Sequence, residues 1–291
     1  TTTRTKKYSI PTTGCYEYGL DDFFDGYIKN TSLEAIDQRD PSKPFMLNAM
    51  FIAPHPPYDI PEPFYSYVRD VPMPENVGMW GAGQSPLQLY NLTGFLGSRY
   101  SREDWQEPWD VYTGLVHLLD HCIGEIVQRL KDEGLYDDAL IVWTADHGEM
   151  LGDHGLYTKS AAYEASLRVP LIIAGPGIRG GRSSDALCEL IDLNATICDL
   201  AGLPPQEGID ARSLKPVLDG YTEVHREDAV SALDNFRCLR TATHKYIYNH
   251  NDRHELYDLE ADPDQLMNLA ADPDHYARLR ELEARLPVSY T

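Results

Sequence analysis

The sequence is short of positive charge. It has 25 Lys and Arg residues against 46 Asp and Glu, which gives a formal net charge of −21. A nucleic-acid-binding protein needs basic surface to neutralise phosphates, so this balance argues against nucleic acid as a partner. The same charge repels anionic substrates at long range. Any site for such a substrate therefore needs its own local positive charge.

Cysteine patterns, membrane spans and targeting signals are also lacking. The five cysteines are scattered and form no C-x-x-C pair, which argues against a disulfide scaffold and against a zinc site. No apolar run approaches the ~18 residues that a membrane span needs. The first residues, Thr-Thr-Thr-Arg-Thr-Lys-Lys, do not resemble a signal peptide. We expect a soluble chain with no membrane span, and the compartment is not indicated.

Three apolar runs have the length and composition of buried strands. They cover 45–52, 139–144 and 170–174, and each is bounded by proline, glycine or acidic turn residues. The first leads into a proline-rich loop that carries His55, and the second ends just before Asp146. In α/β sheets, ligands bind beyond the carboxyl ends of strands, so both residues have the position of site residues.

Helical patterns alternate with these strands. Apolar residues at helical spacing predict a helix from about 109 to 133, closed by Gly134. A short helix is expected near 160–166, and Asp192 can cap another that runs to about 201. This alternation predicts an α/β fold with a mostly parallel sheet flanked by helices.

The pattern changes after about residue 220. Short strand candidates separated by turns are followed by a charged amphipathic helix, which predicts a small antiparallel sheet with one helix. We therefore expect an α/β core over 1–220 and a small α+β subdomain over 221–291. The strand candidates are 237–241, 245–249 and 255–259, and the helix is 273–286.

Asp146 and His147 are the strongest candidates for chemistry. A carboxylate and an imidazole side by side suit a divalent cation, and Lys159 follows thirteen residues later with an ammonium group for an anionic ester. His55 lies between two prolines, a rigid mount of the kind that a general acid or oxyanion donor needs. Taken one at a time, each of these residues also fits an ordinary surface or structural role.

These residues stand in motifs that resemble the type I sulfatases of the alkaline phosphatase superfamily, which also contains the phosphonate monoester hydrolases. The resemblance covers about residue 17 to the end and is most specific between Asp146 and Arg168. It rests on Asp146-His-Gly-Glu-Met-Leu-Gly-Asp-His-Gly155, Lys159, Tyr163-Glu164, Arg168-Val-Pro-Leu-Ile-Ile173 and Pro54-His-Pro-Pro-Tyr58.

The resemblance implies an alkaline-phosphatase-like core, here incomplete, and assigns roles to the candidates. Asp146 and His147 match one half of a metal site, for which calcium is favoured and magnesium or manganese are the alternatives. Lys159 matches the lysine that binds the sulfate. His55 matches a histidine that contacts the ester oxygen or the sulfate. The substrate class is a small anionic ester.

The chain departs from the family at the nucleophile. The family uses a formylglycine made from Cys or Ser within Cys-x-Pro-x-Arg, and no cysteine here has that context. Formylglycine is therefore expected only from a segment that is missing here. Three explanations fit: a chain that joins an N-terminal sulfatase partner, a truncated product, or a non-catalytic relative.

The main hypothesis is a metal-dependent hydrolase of sulfate esters whose nucleophile is not present in this chain. The alternative enzyme is a phosphonate or phosphate ester hydrolase of the same superfamily, which uses a similar set of residues. The alternative from another class is a non-catalytic binding subunit. Substrate identity is not encoded in any motif that we can interpret.

Overall fold

A computed structural model describes residues 13–87, 97–233 and 235–286. These residues form two compact units. The first unit takes its described residues from 13–79, 97–139 and 149–158, and the second from 80–87, 140–148, 159–233 and 235–286. The domain boundary expected between 220 and 221 stays a prediction.

The first unit is mainly helical, with one pair of short parallel strands, β1 and β2, in register from Thr13↔Tyr58 to Cys15↔Ile60. Its elements are β1 (Thr13–Cys15), α1 (Phe24–Asp37), β2 (Tyr58–Ile60), α2 (Phe64–Tyr67) and α3 (Arg102–Asp132), with 3₁₀ turns at Leu20–Asp22, Tyr136–Asp138 and Asp153–Gly155.

Helix α3 confirms the strongest periodic pattern of the sequence. It begins earlier than expected, because the side chain of Ser101 accepts the N–H of Asp104 while Asp104 caps the N–H of Ser101. It ends as expected before Gly134, whose φ of 67° suits glycine. Its inner face packs the core of this unit, in which Trp105 is fully buried.

The buried strand predicted for 45–52 is wrong. The structure has no strand there, and Phe45, Met46, Met50 and Ile52 are all exposed. A strand needs a neighbour for its backbone N–H and C=O groups, and no strand among the described residues pairs with this segment. Composition alone marked the run as apolar, but burial depends on a partner that the sequence pattern does not specify.

The second unit carries two sheets and four helices among its described residues. Its elements are β3 (Ile141–Thr144), α4 (Glu164–Leu167), β4 (Leu171–Ala174), α5 (Asp192–Leu200), α6 (Lys215–Leu218), β5 (Asp228–Leu233), β6 (Phe236–Thr241), β7 (His244–Asn249), β8 (Glu255–Asp258) and α7 (Tyr276–Arg285), with a 3₁₀ turn at Pro273–His275.

Strands β3 and β4 lie where the sequence placed them, but they pair with each other antiparallel. They were expected to be fully buried, and this is wrong, because every residue of both strands is half-buried or exposed. Trp143 and Ile172 are register partners, and both are exposed. Successive side chains of a strand point to opposite faces, so these two side chains share the more exposed face of the pair.

The C-terminal sheet is antiparallel in the order β5-β6-β7-β8, and α7 covers it, as predicted. Leu239, Tyr246, Leu256 and Leu282 form its fully buried core. The prediction missed β5, the edge strand, whose sequence Asp-Ala-Val-Ser-Ala-Leu has little of the β-branched and aromatic character of the other three. The chain is a mixed α/β protein with a small antiparallel sheet and helix at its C-terminal end.

Asp192 does not cap α5 through its side chain, as the sequence suggested, but buries its carboxylate in an ion pair. The carboxylate accepts from Nε of Arg226 at 2.8 Å and from the N–H groups of Glu189 and Arg212 at 2.9 and 2.8 Å. Burial opposes the charge, but these hydrogen bonds outweigh it and lower the pKa of Asp192 to about 2.

The low pKa of Asp192 predicts that the stability of the protein depends on pH. The pKa of Asp192 is lower in the folded state than its value of about 4 in the unfolded state, so the ionised carboxylate stabilises the fold by about 2 kcal/mol above pH 4. This contribution disappears as the pH falls towards 2. The free energy of unfolding of the wild type, measured with urea, should therefore fall between pH 5 and pH 2.5. Asp192→Asn should be less stable at pH 5 and show a flatter profile. Equal slopes for the two proteins would contradict the assignment.

The five cysteines are all free. Cys122 and Cys238 are buried, and Cys198 is half-buried. No helix among the described residues is long and apolar enough to span a membrane.

Candidate functional site

Asp146 lies two residues after the end of β3 in the second unit. Its side chain is 89% exposed, and Oδ1 accepts the N–H of His147 at 3.0 Å. This contact turns the chain sharply after the strand and fixes the carboxylate without removing it from solvent. The strand end therefore presents an accessible carboxylate, as the sequence predicted.

The ring of His147 has a defined tautomer. Its Nδ1 lies 2.7 Å from the carbonyl oxygen of Gly148. A carbonyl only accepts hydrogen bonds, so Nδ1 carries the proton and Nε2 is the acceptor nitrogen of the neutral ring. Histidines that bind metals commonly donate their other N–H to a backbone carbonyl in this way.

Asp146 and His147 together fit half of a divalent cation site. The Nε2 of His147 lies 3.8 Å from Oδ2 of Asp146, close enough for one cation to bind both atoms. Within residues 13–87, 97–233 and 235–286 no group of three or more His, Cys, Asp or Glu side chains is arranged so that it could hold a metal ion. Other coordination positions would thus be filled by water, by anion oxygens or by groups outside the described residues.

Gly148 joins this pair to α4. Its N–H donates to the carbonyl of Ser166 at 2.8 Å, and a Cβ at this position would lie 2.0 Å from the carbonyl oxygen of Ala165. The backbone of Gly148 therefore packs directly against the backbone of α4. Only glycine allows this approach.

Lys159 is half-buried and belongs to the same unit as Asp146 and His147. It precedes Ser160, a non-glycine residue with a φ of 76°. Four of the seven such residues in the described chain fall between 151 and 160. Backbone in this region costs about 1–3 kcal/mol per residue and is enriched at functional sites. Sequence patterns gave no sign of this strain.

His55 lies in the first unit, in the loop after 45–52. Its N–H donates to the carbonyl of Ile52 at 2.9 Å, and its Nδ1 lies 2.6 Å from the carbonyl oxygen of Pro56. Because that carbonyl can only accept, Nδ1 carries the proton, and Nε2 is the acceptor nitrogen of the neutral ring. The rigid mount expected for this histidine is present.

Asp25 supports this loop, and the sequence analysis missed it. This carboxylate is 1% exposed and accepts the N–H groups of Ile52 at 2.7 Å and Ala53 at 3.1 Å. Burial raises its pKa, against the opposite effect of these hydrogen bonds. An acidic residue in the first turn of α1 resembles an ordinary helix-start residue, so no pattern marks its reach to a loop 27 residues away.

The fold and the motifs place the chain in the alkaline phosphatase superfamily. Within it, the chain belongs to the sulfatase family, whose members are sulfuric ester hydrolases and generally use a metal ion. The Sulfatase domain matches residues 4–203, and the C-terminal domain described as N-sulphoglucosamine sulphohydrolase matches residues 152–289. The resemblance inferred from the motifs is confirmed.

Similar proteins include an arylsulfatase and a choline-sulfatase. The chain is 28% identical over 251 residues to an arylsulfatase of Clostridium perfringens, covering 82% of this chain and 52% of that protein. It is 31% identical over 235 residues to a choline-sulfatase of Rhizobium meliloti, covering 77% of this chain and 46% of that protein. The chain thus spans about half the length of these relatives.

A solved structure of the same fold is the phosphonate monoester hydrolase of Agrobacterium radiobacter. It matches with a TM-score of 0.81 and 27% identity, over 93% of this chain and 61% of that one. The phosphonate monoester hydrolase of Silicibacter pomeroyi matches with a TM-score of 0.77 and 28% identity, over 92% of this chain and 60% of that one. The expected alkaline-phosphatase-like fold is confirmed.

Proposed function

We propose that this chain supplies the metal- and anion-binding part of a sulfate ester hydrolase. The observation that carries the proposal is the Asp146–His147 pair, an accessible carboxylate beside an imidazole of fixed tautomer at the end of β3. Membership of the sulfatase family supports it. Calcium is the favoured cation, and magnesium and manganese are the alternatives.

Each residue has a separate proposed role. Asp146 and His147 hold the cation, which when bound neutralises charge on the oxygens of the ester. Lys159 donates hydrogen bonds from its ammonium group to the sulfate oxygens. His55 donates from Nε2 to the ester oxygen when that nitrogen carries a proton, and this oxygen gains negative charge as its bond to sulfur breaks. The net charge of −21 makes the local charge of Lys159 necessary.

The nucleophile is proposed to lie outside these 291 residues. The cysteines present are poorly suited to it: burial raises the pKa of Cys122 and of Cys238 to about 11, and it also raises the pKa of Cys15 and Cys188. None has the formylglycine motif. The comparisons give no support to a separate N-terminal partner chain.

Calcium binding is the first test. Calcium should raise the unfolding temperature of the chain with a Kd of about 10⁻⁴–10⁻³ M, the range of sites with few protein ligands. Asp146→Ala should remove this effect. Asp185→Ala removes an exposed carboxylate of the same unit and is the matched control. Calcium binding that survives in Asp146→Ala would refute the assignment of the cation site.

Phosphonate ester hydrolysis is the second candidate, because the phosphonate monoester hydrolases match with TM-scores of 0.81 and 0.77. The purified protein, together with any co-purifying chain identified by intact mass, should be assayed on an aryl sulfate and on an aryl phosphonate monoester. Faster sulfate turnover supports the proposal. Faster phosphonate turnover would replace it. Calcium binding without turnover is expected when no formylglycine-bearing chain co-purifies, and it would favour a binding subunit only when such a chain is present.

A further inference from the structure

A buried ion pair anchors the start of α4 in the second unit. Lys245 on β7 is fully buried, and its Nζ lies 2.5 Å from Oε1 of Glu164 and donates to the carbonyl of Ala162 at 3.0 Å. Arg240 on β6 adds a weaker contact to Glu164, with Nε 3.3 Å from Oε1. Lysine is rarely buried without a partner, and removing one member of a buried ion pair leaves the other charge uncompensated.

A second anchor lies one residue earlier. The hydroxyl of Tyr163 donates to Oε2 of Glu255 on β8 at 2.8 Å, and both side chains are fully buried. Glu255 also accepts from the hydroxyl of Tyr257 at 2.5 Å and from Nδ2 of Asn249 at 2.7 Å. The carboxylate is thus held by three side chains, and its position fixes that of Tyr163.

The backbone of α4 is held as well. Oε1 of Gln265, in the loop after β8, accepts the N–H of Glu164 at 2.9 Å. The three residues before α4 are buried, with Ala161 at 2% exposure and Ala162 and Tyr163 at 0%. The first turn of α4 is therefore fixed by the C-terminal sheet and the loop that follows it.

The other side of α4 contacts Gly148, which follows the Asp146–His147 pair. Ser166 accepts the N–H of Gly148, and the carbonyl of Ala165 leaves no room for a side chain there. Gly148 also provides the carbonyl that fixes the tautomer of His147. A shift of α4 would therefore move the backbone that orients the His147 ring.

We propose that Lys245 and Glu255 are positioning residues for the site, acting through α4 on the backbone of Asp146, His147 and Gly148. The inference rests on the proposed function, in that it assigns the affected residues to the cation site. It gives the C-terminal sheet a role in cation affinity although none of its strands supplies a proposed ligand. A purely structural role would lower stability without a selective effect at Gly148.

Lys245→Met tests the proposal, since it keeps the length of the side chain and removes its charge. Glu164 keeps Arg240 as a partner in this variant. Two quantities should be measured on the full chain: hydrogen exchange of the peptide that contains Gly148, and the Kd for calcium chloride. Lys215→Met is the matched control, because Lys215 pairs with Asp219 on a partly exposed face of the same unit.

We expect Lys245→Met to speed hydrogen exchange at Gly148 at least tenfold and to raise the Kd for calcium about tenfold. Lys215→Met should change each of these two quantities less than twofold. Exchange in β6 should change less than exchange at Gly148. Equal acceleration throughout the unit, or unchanged exchange at Gly148, would overturn the proposal.

Two further variants keep the test decisive. If Lys245→Met does not fold, the double variant Lys245→Met/Glu164→Gln removes both charges, and the same selective loss at Gly148 is expected. Glu255→Gln should give a smaller effect of the same kind, and no effect at Gly148 would remove Glu255 from the proposal. If the wild type binds no calcium, the proposed cation site fails, whereas the exchange data still decide whether the sheet positions Gly148.

Discussion

Replacing Gly148 with alanine should destabilise the protein by about 3 kcal/mol and abolish calcium binding. The added Cβ would lie 2.0 Å from the carbonyl oxygen of Ala165 and 3.2 Å from that of Ser166. Both contacts are with backbone, so no flexible side chain can move aside. A loss of this size in a chain of this length lowers the unfolding temperature by roughly 5 °C, measurable by calorimetry.

Gly124→Ala is the matched control for this prediction. Gly124 lies within α3, and a Cβ there meets no atom within 4 Å. Alanine should therefore stabilise the helix by about 0.5–1 kcal/mol. The two variants make the same chemical change with opposite expected signs. If both had the same effect, the close packing of Gly148 on α4 would not be a determinant of stability.

Lys159→Met should weaken sulfate binding roughly 10- to 100-fold, measured by the sulfate concentration that stabilises the calcium-loaded chain. A charge-assisted hydrogen bond contributes about 1.5–3 kcal/mol, which corresponds to this range. Lys159→Arg should retain part of the affinity, because the positive charge remains. Stability without sulfate should change little, because a half-buried lysine contributes little to the core.

The control must separate the local effect of Lys159 from overall charge, because any lysine removed from a chain of net charge −21 weakens anion binding slightly. Lys43→Met removes the same charge from an exposed side chain that pairs with Asp40. It should leave sulfate affinity within about twofold. Equal losses in the two variants would show that Lys159 has no specific contact with the anion.

Local features of the structure were predictable from the sequence. Helix α3 and its end at Gly134 follow from apolar spacing and from glycine at the C-terminal end of a helix, and both are local properties. The strands β6, β7 and β8 were likewise predicted within one or two residues. The edge strand β5 was missed because its pairing, not its composition, makes it a strand.

The predictions that were wrong concern which segments pair with or cover each strand. The segment 45–52 has the composition of a buried strand, yet it is exposed and unpaired within the described residues. Strands β3 and β4 were located correctly but pair antiparallel, with Trp143 and Ile172 on an exposed face. Hydrophobic patterns show that a segment can be buried, but they do not show which surface will cover it.

The sequence by itself determined the family and the identity of the candidate residues, because Asp146, His147, Lys159 and His55 stand in motifs whose residue types carry the chemistry. Their functional roles stay predictions. Only the tertiary structure decided how they are held. The tautomer of His147, the reach of Asp25 to Ala53, and the anchoring of α4 by Lys245, 83 residues from its acceptor Ala162, are contacts between chain segments. Such contacts depend on folding, so no local pattern records them.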